Sequence, residues 1–356
     1  DLNADESDYY YKIYHYNHDW SLSTLFKSEY MEGFDELRIR DLKNSFNTLQ
    51  RYTHYQLQIP NQQTQLKVSG NYAVNIYDSS NMLVFNRRFV VYENTTSVGV
   101  NIVRSRDLGH IETSQSVQFS INTQELLVRN PSEEIKPVIL KNFIWNNAID
   151  SLKPQYSLGK IVHYKYDRET RFEGGNEYFY FDTKDIRISG GNVYRVELNE
   201  FYNTYLYTNE VRAGRPYSYA PDINGDFVIR TLQGKDVSIE ADYSRVHFSL
   251  ITDYLGESAE IFVVGSFSDH RLDDSYRLYY NVAAGRYEGE AFLKQGFYNY
   301  HFEYLDDKKD LYVNMIGGNH WETENQYLVL VYFRKFGDRH DSLVGIGLGS
   351  SLSIQN

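Results

Sequence analysis

Side chains alternate with a period of two residues from one end of the chain to the other, and this pattern constrains the fold more than any other feature. In the stretch DYYYKIYHYNHDW (residues 8–20), Tyr9, Tyr11 and Ile13 would lie on one face of an extended strand. The same alternation recurs in many later stretches, among them 52–60, 66–78, 81–93, 245–252 and 325–335. The sequence therefore predicts a chain that is mostly β-structure.

The composition supports this prediction. The 356 residues include 34 tyrosines and 6 prolines, and tyrosine favours pleated, half-buried surfaces on which its hydroxyl stays hydrated. Helical periodicity is scarce, and the stretch 22–34, with Ser21 or Ser23 as a candidate N-cap, is the one helix that we predict. Short strands separated by turn signals are typical of sandwiches rather than βαβ units. We predict an all-β fold of tandem immunoglobulin-like or early-set β-sandwich domains.

The turn signals divide the chain into three such domains. We predict β-sandwich domain one at 1–95, β-sandwich domain two at 96–240, an early-set-like β-sandwich domain three at 241–345, and a tail at 346–356. DSSN (78–81) predicts a hairpin turn within the first domain. Asn224-Gly225 predicts a second hairpin, because both central residues of a type I′ turn need a positive φ.

Charge and composition exclude several classes of partner. The net charge is −12, from 36 basic and 48 acidic residues, and binding to nucleic acid or anionic lipid requires a concentrated basic surface. No apolar run approaches the roughly 20 residues of a membrane helix, so we expect no direct membrane insertion. Cysteine is absent, which excludes thiol catalysis, cysteine–zinc sites and disulfides.

Two histidines near the start of the chain suggest a metal site. His15 and His18 lie close to Asp19. Residues three apart on a strand point to opposite faces, so the two imidazoles cannot share an ion unless the chain bends between them. We therefore interpret these residues as structural.

The stretch GGNHWETEN (317–325) is the stronger metal candidate. If it is extended, His320, Glu322 and Glu324 share one face and could hold a divalent cation. No fourth ligand or catalytic acid is evident, and a solvated turn before the next strand explains the same composition. We favour the turn.

Two further motifs resemble ligand sites without matching them. DINGDF (222–227) mimics a calcium loop through Asp222, Asn224 and Asp226, but its glycine stands at the fourth position and Gln233 replaces the final glutamate. GIGLGS (345–350) lacks the G-x-G-x-x-G pattern and no helix follows it, so we interpret it as a flexible end. There is no G-x-S-x-G motif. We expect no catalytic, cofactor-binding or metal-binding residue, and no small-molecule substrate.

The third predicted domain is similar to the early-set sandwich of glycogen- and starch-binding modules. The shared features are Gly-Ser-Phe at 265–267, a central hairpin, and the strand GFYNYHF at 296–302. Sugar-binding members usually carry a tryptophan shortly after Gly-Ser-Phe, and this chain has SDHRLDD there (268–274). The segment is therefore interpreted as scaffold.

A longer series of motifs carries a more specific resemblance. In chain order these are DYYYKIYHYNHDW, YMEGF, SFNTLQRYTHYQLQIPN, LKVSGNYAVNIYD, NRRFVVYE, GNEYFYFDT, DINGDF, LKQGFYNY and HWETENQYLVLVYFR. They follow one another as in the type IX secretion system plug proteins of Bacteroidota, and the resemblance spans residues 8 to about 345. One departure is Tyr16, where many relatives have cysteine.

The resemblance implies a function without catalysis. Members of the family resemble soluble periplasmic stoppers that dock on the periplasmic opening of a giant outer-membrane β-barrel translocon (SprA-type) when no cargo is bound. The chain is thereby expected to act at the periplasmic face of the outer membrane, to have the translocon as its partner, and to need no cofactor. Which of its residues bind that partner is not evident from the motifs.

Two other functions remain open at this point. The early-set pattern and the many tyrosines favour a periplasmic or surface carbohydrate-binding protein as the alternative. A glycoside hydrolase or metal-dependent enzyme would rest on HWETEN alone.

Overall fold

A computed structural model of the chain describes residues 1–123 and 126–354. The all-β prediction is confirmed, because strands dominate these residues and each α-helix is four residues long. No helix in this described part is long and apolar enough to cross a membrane.

Module one contains eight strands and one short helix. These are β1 (Tyr10–Tyr16), α1 (Lys27–Tyr30), β2 (Met31–Gly33), β3 (Leu37–Arg38), β4 (Asp41–Asn44), β5 (Thr53–Gln56), β6 (Thr64–Leu66), β7 (Gly70–Tyr77) and β8 (Leu83–Val91). The main sheet has the order β3-β1-β7-β8, and β2-β6 and β4-β5 form two small sheets. Its core is built by the alternating residues of β1 and β7, as the period of two predicts.

Two local predictions for module one have different outcomes. The DSSN hairpin is confirmed, since β7 and β8 pair antiparallel and the amide of Asp78 donates to the carbonyl of Met82 at 3.0 Å. The helix predicted over 22–34 is wrong in extent, because α1 covers Lys27–Tyr30 and neither predicted serine caps it. The chain continues directly into β2, which places Met31 in the core.

The remaining elements follow in chain order. First come β9 (Ser97–Arg104), β10 (Ser114–Asn122), α2 (Pro131–Glu134), β11 (Ile135–Lys141), β12 (Tyr156–Leu158), β13 (Ile161–Tyr164) and β14 (Arg171–Glu173). Next come β15 (Phe179–Asp182), β16 (Val193–Leu198), β17 (Tyr202–Leu206), β18 (Asn209–Glu210), β19 (Phe227–Ile229), α3 (Val237–Glu240), β20 (Tyr243–Ile251), β21 (Glu260–Val264), β22 (Arg277–Asn281), β23 (Arg286–Lys294), β24 (Gly296–Leu305) and β25 (Leu311–Tyr312). The last strands are β26 (Gln326–Phe333) and β27 (Ser342–Ser350).

Module two is a sandwich assembled from distant parts of the sequence. One sheet contains β9, β10, β12, β13 and β14, and the facing sheet has the order β11-β26-β27. The strand β26 is buried on both faces: Val329 and Val331 pack into this sandwich, whereas Leu330 and Tyr332 pack toward module one, where Val90 of β8 joins their cluster. One strand therefore belongs to two cores, which joins the two modules.

The GIGLGS motif is not the flexible end that we expected. It lies in β27 and pairs with β26. A Cβ on Gly345 would stand 2.0 Å from Oγ1 of Thr96, and one on Gly347 or Gly349 would stand 2.7 Å from a valine methyl of β9. Glycine at every second position leaves one face of β27 flat, so β9 can pack closely against it.

Module three is one curled sheet around one core. The strand order is β15-β24-β21-β22-β23-β20-β17-β16, with β17 parallel to β20. Phe181 of β15 contacts Phe248 of β20 at a ring-centroid distance of 5.8 Å, although four strands separate them in the sheet. The sheet must fold over for these rings to meet, as in a sandwich.

The Asn224-Gly225 prediction is half correct. Both residues have a positive φ, and the amide of Asp226 donates to the carbonyl of Ile223, so a turn forms. The strand that follows it, β19, pairs with β24 and not with the residues before the turn. The motif is a turn without a hairpin.

These pairings group the chain differently from the predicted boundaries. The stretch 179–229, which we predicted in domain two, lies in the sheet of module three, and β26, which we predicted in domain three, pairs with β11. We propose a division in which module three is inserted into module two between β14 and β26. The physical reason is that strand pairing depends on partners far apart in sequence, which local turn signals do not specify.

Candidate functional site

The histidines near the start of the chain, which we interpreted as structural, lie where modules one and two meet. His15 is buried in β1 with its Nε2 3.2 Å from the carbonyl of Ser69, whereas Nδ1 of His18 lies 2.8 Å from Oδ2 of Asp341. Asp19 forms hydrogen bonds within its own turn. Burial lowers the pKa of His15 to about 4, so its imidazole is neutral. The two histidines therefore have separate protein partners.

Asp341 gathers three basic side chains at this contact. Its carboxylate is fully buried and lies 2.8 Å from His18, 3.1 Å from Nζ of Lys136 and 2.7 Å from Nε of Arg334. Burial alone would raise the pKa of Asp341, but the hydrogen bond from His18 and the charges of Lys136 and Arg334 outweigh it and hold the pKa well below its usual range. We call these four residues the Asp341 joint.

The other two acidic motifs meet at the contact between modules two and three. GGNHWETEN forms turns rather than a strand, as we predicted, so His320, Glu322 and Glu324 do not share the single face that an extended stretch would give them. Glu322 is exposed, whereas Oε2 of Glu324 accepts a hydrogen bond from Nδ2 of Asn224 at 3.0 Å. Two motifs that are 100 residues apart in sequence thus share one place in the fold.

A buried glutamate from neither motif completes this cluster. Oε1 of Glu177 accepts hydrogen bonds from the Tyr217 hydroxyl and, at 3.2 Å, from the amide of Glu324. Asp222 accepts hydrogen bonds from the amides of Tyr178 at 2.6 Å and Asn224 at 2.7 Å. We call Glu177, Tyr217, Asp222, Asn224 and Glu324 the Glu177 cluster.

Burial controls the ionisation of this cluster. It raises the pKa of Glu177, of Asp222 and of Glu324, and the negative charges of Asp222 and Glu324 raise the pKa of Glu177 further. Hydrogen bonds to the carboxylates oppose these shifts only in part. Within residues 1–123 and 126–354, no three histidine, aspartate or glutamate side chains converge as a metal ion requires. The hydrogen bonds from Asn224 to Glu324 and from Glu324 to Glu177 link the two modules here.

A second kind of contact lies between modules one and three. It is a cleft of about 740 Å³ beside β8. Its walls are mostly apolar and come from module one, with Tyr243 and Lys294 of module three at one side. The apolar residues of module one that line it are Ile39, Leu57, Ile59, Val74, Ile76, Val84, Phe85 and Phe89. We call this space the β8 cleft.

The strand that borders the cleft is the edge of its sheet. In the part of the chain that the structure describes, β8 pairs with β7 alone, so its other edge has unpaired backbone groups. It begins with an exposed apolar run, in which Leu83 is 51 % and Phe85 is 46 % exposed. Such an edge readily pairs with another strand.

Basic side chains stand in this cleft, although the chain as a whole is acidic. Arg87 projects from β8, and Nζ of Lys294 lies 4.1 Å above the ring of Tyr52. Burial lowers the pKa of Lys294 to about 8, which leaves it mostly charged at neutral pH. Asp1 carries the one carboxylate among the cleft residues.

The alternative of sugar binding gains no support from module three. Phe267 of the Gly-Ser-Phe motif is half-buried and packs edge-on against Tyr276 and Tyr298, at ring-centroid distances of 5.3 Å and 5.8 Å. A sugar-stacking ring would instead present its face to solvent. The motif is part of the core, as the missing tryptophan suggested.

Comparison with known proteins identifies the family. Residues 1–93 match the model of the first domain of the type 9 secretion system plug protein. This match covers module one, including β8. The chain belongs to the type 9 secretion system plug family. Membership connects it with type 9 secretion, and it confirms the resemblance that the motifs carried.

A solved structure shows that the same fold occurs in a second protein over nearly the whole chain. The crystal structure of a hypothetical protein from Parabacteroides merdae is similar to this chain with a TM-score of 0.92 and 32 % sequence identity, over 98 % of this chain and 88 % of that one. No curated protein matches the chain.

The sequence did not reveal the residues that organise these contacts. Asp341 and Glu177 are ordinary acids in sequence, and each has a partner more than a hundred residues away along the chain, His18 for Asp341 and Glu324 for Glu177. The β8 cleft had a visible signal, which was the run of four apolar residues Met82–Phe85 after the DSSN turn. A half-buried strand would place two of them in water, and the structure exposes all four.

Proposed function

We propose that this plug-family chain is a periplasmic, non-enzymatic stopper that docks on the periplasmic opening of the giant β-barrel translocon of type IX secretion and closes it when no cargo is bound. The observation that supports this most is the plug-domain match of module one. In this proposal the chain acts by occupying space, and no chemical step is needed.

A stopper must resist deformation, and the contacts between the modules supply stiffness. The strand β26 contributes to two cores, the Asp341 joint connects modules one and two, and the Glu177 cluster connects modules two and three. Sheets that are packed face to face and joined by buried hydrogen bonds bend little. A body of this kind can close an opening without folding on its partner.

A stopper must also be released, which favours a mixed surface over a strongly apolar one. Exposed tyrosines are suited to such a surface, because each offers a large contact area, immobilises only two side-chain torsions and keeps a polar end for water. They occur on all three modules: Tyr92, Tyr156, Tyr180, Tyr194, Tyr207, Tyr219, Tyr254, Tyr279 and Tyr312.

Affinity purification tests the proposal directly. The tagged chain is purified from solubilised outer membranes, and mass spectrometry identifies the proteins that accompany it, with a tagged unrelated periplasmic protein as control. We expect a very large barrel protein, in smaller amount when the cells overproduce an exported cargo. Deletion of the gene should make cells permeable to bulky antibiotics. An intact barrel with unchanged permeability would contradict the proposal.

A further inference from the structure

We propose that the β8 cleft binds an extended strand of a partner protein, and that this strand alternates between apolar and acidic residues. The strand would pair with the free edge of β8 and place its apolar side chains in the cleft. This inference concerns the mode of binding and does not require the translocon to be the partner.

The edge of β8 supplies the backbone part of the site. The strand is nine residues long and contains neither proline nor lysine, and among the described residues the amides and carbonyls of its outer edge pair with no other strand. Proteins usually protect such an edge with proline, lysine, a short strand or a covering loop. An added strand would satisfy these groups, which is the basis of recognition by β-strand addition.

The cleft supplies the apolar part of the site. Phe85, Arg87 and Phe89 point to the core side of the sheet, opposite Ile76, Val74 and Tyr72 of β7. The next strand in this sheet would continue the same face, so every second side chain would enter the cleft between β8 and β5. About 740 Å³ is enough for several aliphatic side chains.

Charge decides which kind of strand fits. Arg87 is 60 % exposed on its side chain and has a long contact of 3.6 Å with Asp269, which water screens. Arg88 lies on the opposite face, where it stacks on Trp20 at 4.4 Å, and β8 contains no carboxylate that could neutralise Arg87. A second copy that paired through the same edge would bring the Arg87 side chains of both copies onto the same face, which disfavours a homodimer. An acidic strand would meet complementary charge.

The edge strand β16 at the end of the module-three sheet shows the contrast. Arg195 on β16 forms an ion pair of 2.8 Å with Glu197 of the same strand, so the charge of this edge is already balanced. The edge of β16 borders none of the cleft described above. It therefore provides the matched control for substitutions on β8.

A tethered probe strand tests the inference without any natural partner. Asp1 lines the cleft, so a strand of about ten alternating valines and glutamates is fused before it through a flexible Gly/Ser linker of about ten residues, which spans roughly 17 Å. Tethering gives an effective concentration in the millimolar range. We expect amide exchange of β8, measured by mass spectrometry, to slow about tenfold.

Two variants of the probe and two of the chain make the result specific. A probe with lysine for glutamate should protect β8 less, and a probe with proline at every second position should not protect it. Arg87→Glu should reverse the preference between the acidic and the basic probe, whereas Arg195→Glu should leave it unchanged.

Three results would overturn the inference. Unchanged exchange of β8 with the valine–glutamate probe, or equal protection by the acidic and the basic probe, would overturn the inference. A concentration-dependent dimer of the unextended chain with protected β8 amides would overturn it in favour of a second copy as the occupant. Because no translocon takes part in this experiment, its failure would leave the proposed stopper function unaffected.

Discussion

The contacts between modules are of two kinds. At the Asp341 joint and the Glu177 cluster, buried polar groups from two modules bond to each other. At the β8 cleft, apolar side chains and an unpaired strand edge of module one face open space beside module three. The first kind fixes the modules in one arrangement, because a displaced buried charge loses its partners. In the second kind, apolar side chains and the backbone groups of a strand edge remain available to bind another strand.

This difference indicates which parts hold the molecule together and which remain for a partner. Substitutions in the closed polar contacts should lower stability, whereas substitutions in the cleft should change binding and leave stability nearly constant. The following predictions test this contrast.

The largest effect should come from Asp341→Ala. The substitution leaves His18, Lys136 and Arg334 around a space without negative charge, and breaking a buried ion pair in this way costs about 3–5 kcal/mol. Urea unfolding at neutral pH measures the loss. Because the folded-state pKa of Asp341 is depressed, the stabilisation is present above the ordinary value of 3.8 and is lost as pH falls through the folded-state pKa. The difference in the free energy of unfolding between the natural chain and Asp341→Ala should therefore become smaller in acid. A difference that does not depend on pH would contradict this explanation.

A smaller loss should follow Tyr332→Phe. The hydroxyl of Tyr332 donates to Oδ1 of Asn71, and both residues are fully buried at the contact between modules one and two. Removing the donor leaves a buried acceptor unsatisfied, which costs about 1–3 kcal/mol. Thermal unfolding measures the effect, and Tyr279→Phe, on an exposed tyrosine, is the control that should change little. Equal losses of stability from the two substitutions would contradict the conclusion that the buried hydrogen bond of Tyr332 stabilises this contact.

Glu177→Gln should have a pH-dependent effect of the opposite sign. Because burial raises the folded-state pKa of Glu177, its contribution to stability is present below the ordinary value of 4.5 and is lost as pH rises through the folded-state pKa. Glutamine keeps an acceptor for Tyr217 and carries no charge. We expect the variant to gain about 1 kcal/mol over the natural chain at about pH 8, and to gain nothing at about pH 4. If the free energies of unfolding of the two proteins changed with pH in the same way across this range, ionisation of Glu177 would not destabilise the folded chain.

The smallest effect on stability should come from Phe85→Ser in the β8 cleft. Phe85 is half exposed, so its replacement should change the free energy of unfolding by no more than about 0.5 kcal/mol. The same substitution should weaken the protection of β8 by the tethered acidic strand, because it removes apolar surface from the cleft. A large loss of stability would show that the cleft is part of the structural core and not an open surface.

Particular residues show how far the sequence led. The alternation in 8–20 and 66–93 predicted β1, β7, β8 and the turn at DSSN, and these were confirmed because alternation and turn formation depend on neighbours in the chain. The motif series predicted the family, which the match of residues 1–93 confirms. We misinterpreted the glycines of 345–350, because they are needed for close packing against β9, which lies about 250 residues earlier in the chain.

The sequence by itself determined the strand-rich character, the local turns and membership of the plug family, since each depends on short stretches or on their order. Only the tertiary structure decided that β26 returns to β11, that Asp341 and Glu177 join modules, and that, among the described residues, the outer edge of β8 has no partner strand beside an apolar cleft. The physical reason is that a buried contact depends on which distant groups the folded chain brings within a few ångströms. Composition and periodicity do not predict those distances.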